Sequence, residues 1–318
     1  MSGEPGNPRV GTKDFLSVLD VSSAELVSLL DLAARLKRDR GLGAAAPTAT
    51  ALSGRHVALI FDKPSLRTRA TFEIAVQELG AHALHVPSSS IDGQREPLED
   101  IARNMERWVH GIVLRTFAQA KALAIGKAAS RLHVINALTD EEHPCQALAD
   151  FLTLREQWGT WQGKTLAYVG DGNNVAVSLA HAAAMLGVTF RIASPSGYYM
   201  PAAAVTAARA VATGGATLTQ VEDPREAAQG ADAVYTDVWT SMGQEAEAME
   251  RRRLFAPYQV NAALMAAAAP GARFLHCLPA HRGEEVTAEV FESPASVVFD
   301  QAENRLHTQK ALLLMLLG

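Results

Sequence analysis

The stretch Val57-Ala58-Leu59-Ile60-Phe61-Asp62-Lys63-Pro64-Ser65-Leu66-Arg67-Thr68-Arg69 decides how the chain is read. Its first five residues form a short apolar run of the kind buried in a parallel sheet, and Asp62-Lys63-Pro64 stops it. A helical pattern follows, with apolar Phe72, Ile74, Ala75, Val76 and Leu79 before Gly80, a residue type that commonly ends helices. Strand, polar loop and helix start, in that order, leave four backbone N–H groups without helical partners at a strand's carboxyl end, where the helix dipole also favours an anion. Ser65 and Thr68 add hydroxyls, and Arg67 and Arg69 add forked donors that stay charged. A phosphate fits such a place. Taken alone, the same residues also fit a plain Ser65 cap with both arginines solvated.

Outward from this stretch, strand-like runs recur at 82–86, 111–114 and 132–136, separated by helical patterns at 97–109 and 117–129; a helix over 23–38 precedes them. A long helix is expected over 144–158, and 159–163 reads as a joint. A second series of strands is expected at 165–169, 189–193, 216–221, 233–236 and 273–276, with a short one at 297–299 and a final apolar helix over 302–317. Alternating strands and helices predict an α/β protein of two doubly wound parallel-sheet domains, with ligands at the carboxyl ends of the strands and the active site in the cleft between the domains. The expected division is 1–148 with the final helix (302–318) as one domain and 149–301 as the other.

A length of 318 residues with 48% hydrophobic content suffices for two such cores of about 150 residues each. The net charge of −5 comes from 29 basic and 34 acidic residues, the basic ones scattered rather than blocked, which argues against nucleic-acid or membrane partners. Two well-separated cysteines, Cys145 and Cys277, and no signal-peptide pattern point to a reduced, cytoplasmic setting. No apolar run approaches the roughly 18 residues of a spanning helix.

Five further clusters fall at expected strand ends or helix starts. Gly170-Asp171-Gly172-Asn173-Asn174 opens a helix after a strand, but the third glycine of a dinucleotide fingerprint is replaced by Val175 and no acid ends the next strand at Ala193-Ser194. Asn173 and Asn174 instead suit a carboxylate, or a simple helix cap. Asp237, followed by Ser241-Met242-Gly243, suits an ammonium group beneath a closing loop, or a turn. His143-Pro144-Cys145-Gln146 and Arg115 lie at carboxyl ends of the first series. His276-Cys277-Leu278-Pro279-Ala280-His281-Arg282-Gly283-Glu284-Glu285, with two histidines and a cysteine, invites a metal, yet neighbouring strand residues face opposite ways and no CxxC or HExxH spacing is present, so no metal or other cofactor is expected. Cys277 as a nucleophile would need a nearby base. Arg305, in the final helix, reads by itself as a solvated arginine.

Together, Ser65-Leu66-Arg67-Thr68-Arg69, Arg115, His143 to Gln146, Gly170 to Asn174, Asp237 with Ser241-Met242-Gly243, His276-Cys277-Leu278-Pro279 and Glu303-Asn304-Arg305 resemble the aspartate/ornithine carbamoyltransferase family, in the family's order and over nearly the whole chain after residue 14. The resemblance implies that Ser65, Leu66 through its backbone, Arg67, Thr68, Arg115, His143, Gln146, Cys277, Leu278 and Arg305 bind carbamoyl phosphate, with Arg67, Thr68, Arg115, His143 and Cys277 catalytic. It implies that Asn174, Asp237, Ser241 and Met242 hold L-ornithine, because the Ser-Met-Gly loop is similar to that of the ornithine-using members. Citrulline and phosphate would be the products, in arginine biosynthesis, from a homotrimer. The alternatives are a sister enzyme for N-acetylornithine or putrescine, or a non-catalytic ligand sensor. The chain departs from the family at Ile91, where a glutamine near a subunit contact is usual, with Gln94 close by; Leu66 replaces a common threonine.

Overall fold

The computed structural model describes residues 8–91, 93–241 and 245–318, the Glu245 side chain excepted. The chain divides into two compact units, Met1–Leu148 with Asn304–Gly318, and Ala149–Glu303.

In the first unit, helix α1 (Ser23–Asp39) starts at a capping box: Glu25 N–H donates to the Ser22 hydroxyl while Glu25 accepts the Ser22 N–H. Its buried Leu26, Leu29, Leu30, Ala33 and Leu36 recur at helical spacing, so one stripe faces the core. Then come β1 (His56–Phe61), α2 (Leu66–Glu78), β2 (His82–Val86), α3 (Leu98–Met105), β3 (Gly111–Arg115), α4 (Gln119–Ala128) and β4 (His133–Leu138). The strands pair in the order β2-β1-β3-β4, all parallel. One face of this sheet packs Ile60, Ile112, Leu114 and Val134 against Ile101 of α3 and Ile125 of α4. The 14–19 run adds to the far edge, where Phe15 bridges Ile135.

Helix α5 (Pro144–Trp158) carries the chain into the second unit. There β5 (Thr165–Val169), α6 (Asn174–Met185), β6 (Thr189–Ala193), α7 (Ala202–Ala210), β7 (Leu218–Val221), α8 (Pro224–Ala228), β8 (Ala233–Thr236), α9 (Ala248–Phe255), α10 (Ala262–Met265), β9 (Arg273–His276) and α11 (Ala288–Phe291) follow. The parallel order is β7-β6-β5-β8-β9. Val169, Val234 and Phe274 pack with Trp239, Phe255 and Val260 on one side. Helix α12 (Val298–Leu317) begins in this unit and returns to the first.

Strand order reverses between β1 and β3 in one sheet and between β5 and β8 in the other. Those two reversal points are where ligands of open parallel sheets gather, outside the carboxyl ends. Each unit therefore has one predicted binding end.

Several boundaries differ from the sequence reading by a residue or two, and three differ in ways with a physical reason or a larger shift. The run 297–299 is no strand: α12 starts at Val298, and only Ser296 bridges β9, at Phe274. Phe299 is 66% exposed and Asp300 lies in the helix's first turn, where a carboxylate is favoured, so helix-start electrostatics outweigh the strand preference of Val297-Val298-Phe299. The helix expected over 97–109 ends at Met105, and the strand expected from 216 begins at Leu218.

Candidate active site

Ser65 is the N-cap of α2, its hydroxyl accepting the Thr68 N–H at 3.3 Å. Leu66 is 81% exposed, so this residue can offer a helix-start N–H while its side chain stays in solvent. Arg67 is half-buried in the same turn, and Thr68 is buried.

Arg305 is not the solvated arginine that its local sequence suggests. It is 3% exposed and donates from one nitrogen to Gln146 Oε1 and from another to Thr68 Oγ1, each at 2.7 Å. Three elements, α2, α5 and α12, thus converge on one guanidinium. Arg115, 9% exposed, closes β3 beside Phe61 of β1. His143, 5% exposed, feels both arginines: burial first, then the Arg305 and Arg115 charges, push its imidazole well below its ordinary range, so the ring is neutral. The structure brings Thr68, Arg115, His143, Gln146 and Arg305 into one positive group beside the N-terminus of α2.

The second unit places a group of opposite sign at its own reversal point. Asp237 follows β8; its carboxylate accepts from the Cys277 thiol at 2.9 Å, from Asn173 Nδ2 at 2.9 Å and from the Val238 N–H at 2.8 Å. Asn173 is the α6 cap, accepting from Val175 and Ala176 N–H groups, and Asn174 is the first helical residue. Burial, and after it the charges of Asp237, Cys277 and Asp171, push the Tyr168 phenol well above its ordinary range. The Asp237 carboxylate at this point suits a cation. Ser241 is half-buried four residues past Asp237; Met242 lies outside the described residues.

Leu278 adopts a left-handed backbone (φ 61°), and its N–H donates to His276 Nδ1 at 2.8 Å. Such a conformation costs a non-glycine residue on the order of 1–3 kcal/mol and gathers at functional sites. The Cys277 thiol donates to a carboxylate, which suits a positioning contact. The other thiol, Cys145, is buried, bonded to Asn136 O at 3.3 Å and pushed up to about 12 by burial, which makes it inert.

Comparison with known proteins decides the family. The description "Aspartate/ornithine carbamoyltransferase, carbamoyl-P binding domain" matches residues 13–156, and the "Asp/Orn binding domain" of the same family matches 162–316. The chain belongs to the aspartate/ornithine carbamoyltransferase family. It is 53% identical over 309 residues to the ornithine carbamoyltransferase of Acidothermus cellulolyticus, covering 96% of both chains. It is 51% identical over 306 residues to that of Thermosynechococcus vestitus, again with 96% of both covered. The solved ornithine carbamoyltransferase of Pyrococcus furiosus matches with a TM-score of 0.91 at 45% identity, over 96% of this chain and 97% of that one.

Set beside the family, the departure at Ile91 has a plain structural outcome: the side chain is 2% exposed and packs in the first unit's core. Two groups that orient the second site went unread in the sequence. Arg251, 2% exposed, pairs with Asp171 and donates from Nε to Trp239 O at 2.8 Å, fixing the segment that leads to Ser241. Glu285, fully buried, stands 3.2 Å from His276 Nε2. Arg251 sits in an Arg-Arg-Arg run that reads as a solvated face, and nothing local marks the buried member.

Proposed function

We propose that the chain transfers the carbamoyl group of carbamoyl phosphate to the δ-amine of L-ornithine, giving citrulline and phosphate. The observation that carries this reading is the pairing of opposite potentials in one chain. A cationic cluster at the start of α2 suits a dianion, and the Asp237–Cys277–Asn173 group suits an amino acid's cationic end. Half-identical relatives named ornithine carbamoyltransferase support ornithine as the acceptor.

In this reading the phosphate lies on the N–H groups and hydroxyls of Ser65 to Thr68, with Arg67 and Arg305 neutralising it. Gln146 holds Arg305 in place. Arg115, Thr68 and neutral His143 polarise the carbonyl oxygen as negative charge develops there. A histidine kept neutral donates a hydrogen bond without delivering a proton to the intermediate. Cys277 and the Leu278 backbone contact the carbamoyl group; Asn174, Asp237, Ser241 and Met242 hold ornithine.

The nitrogen lone pair attacks the carbonyl carbon, the carbon–oxygen bond to phosphate breaks, and the departing phosphate takes the amine's proton. Only the neutral amine attacks; with a reference pKa near that of lysine, about 10.4, reaching it at pH 7 costs on the order of 4–5 kcal/mol. A homotrimer working in the cytoplasm, serving arginine biosynthesis, completes the proposal. Among the described residues no helix is long and apolar enough to cross a membrane.

The test is a product assay with carbamoyl phosphate and a panel of ornithine, N-acetylornithine and putrescine. Citrulline from ornithine, far exceeding carbamoylation of the other two, is expected, with turnover at saturating ornithine climbing from pH 6 to 9. Arg67→Ala should lower kcat/KM by about 10²–10³-fold. No citrulline, a preference for putrescine, or near-normal turnover in Arg67→Ala refutes the corresponding part.

A further inference from the structure

After β9 the chain leaves the sheet and folds around one carboxylate. Glu285 is fully buried; its Oε1 accepts the His281 N–H at 2.5 Å and faces His276 Nε2 at 3.2 Å. Because His276 Nδ1 accepts the Leu278 N–H, the ring's proton sits on Nε2 and points at that oxygen. The base of the loop is closed by Gly283 N–H to Val286 O and Val260 N–H to Glu285 O, both 2.8 Å.

The second oxygen, Glu285 Oε2, is buried as well and meets no hydrogen-bond donor among the described residues. An ionised oxygen in that condition is costly and calls for a positive partner. His281 Nδ1 stands 4.0 Å from it. The Glu284 carboxylate supplies a third atom, and the ligand atoms of the three side chains lie within 4.8 Å of one another.

We propose that His281, Glu284 and Glu285 bind a divalent transition-metal ion of the Zn²⁺ class, strapping the loop that runs from Cys277 to Glu285. A tetrahedral ion with a Zn–N bond of about 2.0–2.1 Å and a Zn–O bond of about 2.0–2.2 Å sets those two atoms roughly 3.4 Å apart, so a shift of about half an ångström in the exposed His281 side chain closes the 4.0 Å gap. One imidazole with two carboxylates selects a borderline cation over Mg²⁺ or Ca²⁺, which take oxygen ligands. The entry path is open, since the His281 side chain is 53% exposed and that of Glu284 is 29% exposed. Arg252, 2.9 Å from Glu284 and itself 57% exposed, is the charge the metal displaces. Strand alternation, which argued against a metal at His276 and Cys277, does not apply here, because all three ligands lie beyond β9 on the loop. The ion takes no part in group transfer; it fixes the segment that begins with Cys277 and Leu278.

Equilibrium dialysis against Zn²⁺ tests this in Cys277→Ser, which removes the competing Cys277–Asp237 pair. About one Zn²⁺ per chain is expected, weakened at least tenfold, about 1.4 kcal/mol, in Cys277→Ser/His281→Ala and Cys277→Ser/Glu284→Gln. Amide exchange over 278–286 should slow with Zn²⁺ only while His281 is present. Absence of stoichiometric Zn²⁺ in Cys277→Ser, or binding unchanged by His281→Ala, overturns the proposal. Because the two substituted ligands, His281 and Glu284, reach solvent, and the readout is metal content rather than citrulline, neither outcome depends on the activity.

Discussion

His143 sits where two guanidiniums and burial all disfavour its protonated form, and this fixes the sign of a stability effect. In the unfolded chain a histidine titrates near pH 6.5, whereas in the folded chain it stays neutral to much lower pH. Below about pH 6.5 the unfolded state therefore binds the additional proton, and stability falls as pH is lowered from there toward the folded value. The urea midpoint should drop between pH 7.5 and 5.5, and His143→Asn should make that drop shallower by up to one proton's worth of slope. Equal slopes in the two proteins would show that the ring is not held neutral. At this scale the site was half legible. Ser65, Thr68, Arg115, His143 and Gln146 announced themselves because strand ends and helix starts have sequence signatures. Arg305 did not, since its burial depends on Thr68 and Gln146, which lie 237 and 159 residues away.

Elements decide how closely backbones approach one another. The turn from β5 into α6 passes against the segment 198–200: Gly172 N–H donates to Tyr198 O at 2.8 Å, and a Cβ at Gly172 would fall on the Met200 amide nitrogen. In the sequence this glycine stands only as part of an incomplete dinucleotide pattern. Its actual duty is to let the Asn173 cap settle where its amide reaches Asp237. Gly172→Ala should destabilise the protein by about 1–3 kcal/mol through overpacking and raise KM for ornithine more than KM for carbamoyl phosphate. Thermal melts and steady-state kinetics check both halves; unchanged values would mean the neighbouring segment yields freely. The strands were legible because runs such as Val57–Ile60 are buried on both faces, a pattern with few alternatives. The 297–299 run was misread for the converse reason: its residues suit either state, and the surroundings choose.

For the molecule as a whole, the informative fact is that the first unit is built from two separated pieces of chain. Its second piece contributes Leu312, Leu313 and Leu314, all 0% exposed, together with Arg305 and the Lys310–Glu78 pair at 2.8 Å. Each buried leucine is worth about 2–5 kcal/mol on truncation, so the three alone are comparable to the roughly 5–15 kcal/mol that holds a domain together. A chain ending at Glu303 should lose amide-exchange protection over β1, β3 and β4 and keep it over β5, β6 and β8. Protection retained in β1 would contradict this. Strand order, by contrast with strand existence, could not be read in advance. Which strand neighbours which is settled by crossover connections rather than by residues within the strands.

Synthesis runs from the amino terminus, so the ribosome delivers the whole of the later-encoded lobe before it releases the helix that the earlier-encoded lobe is waiting for. The nascent chain must therefore keep β1 to β4 from aggregating until α12 has been made, and arrival of that helix, rather than emergence of the first piece, becomes the moment at which Arg305 can first meet Thr68 and Gln146.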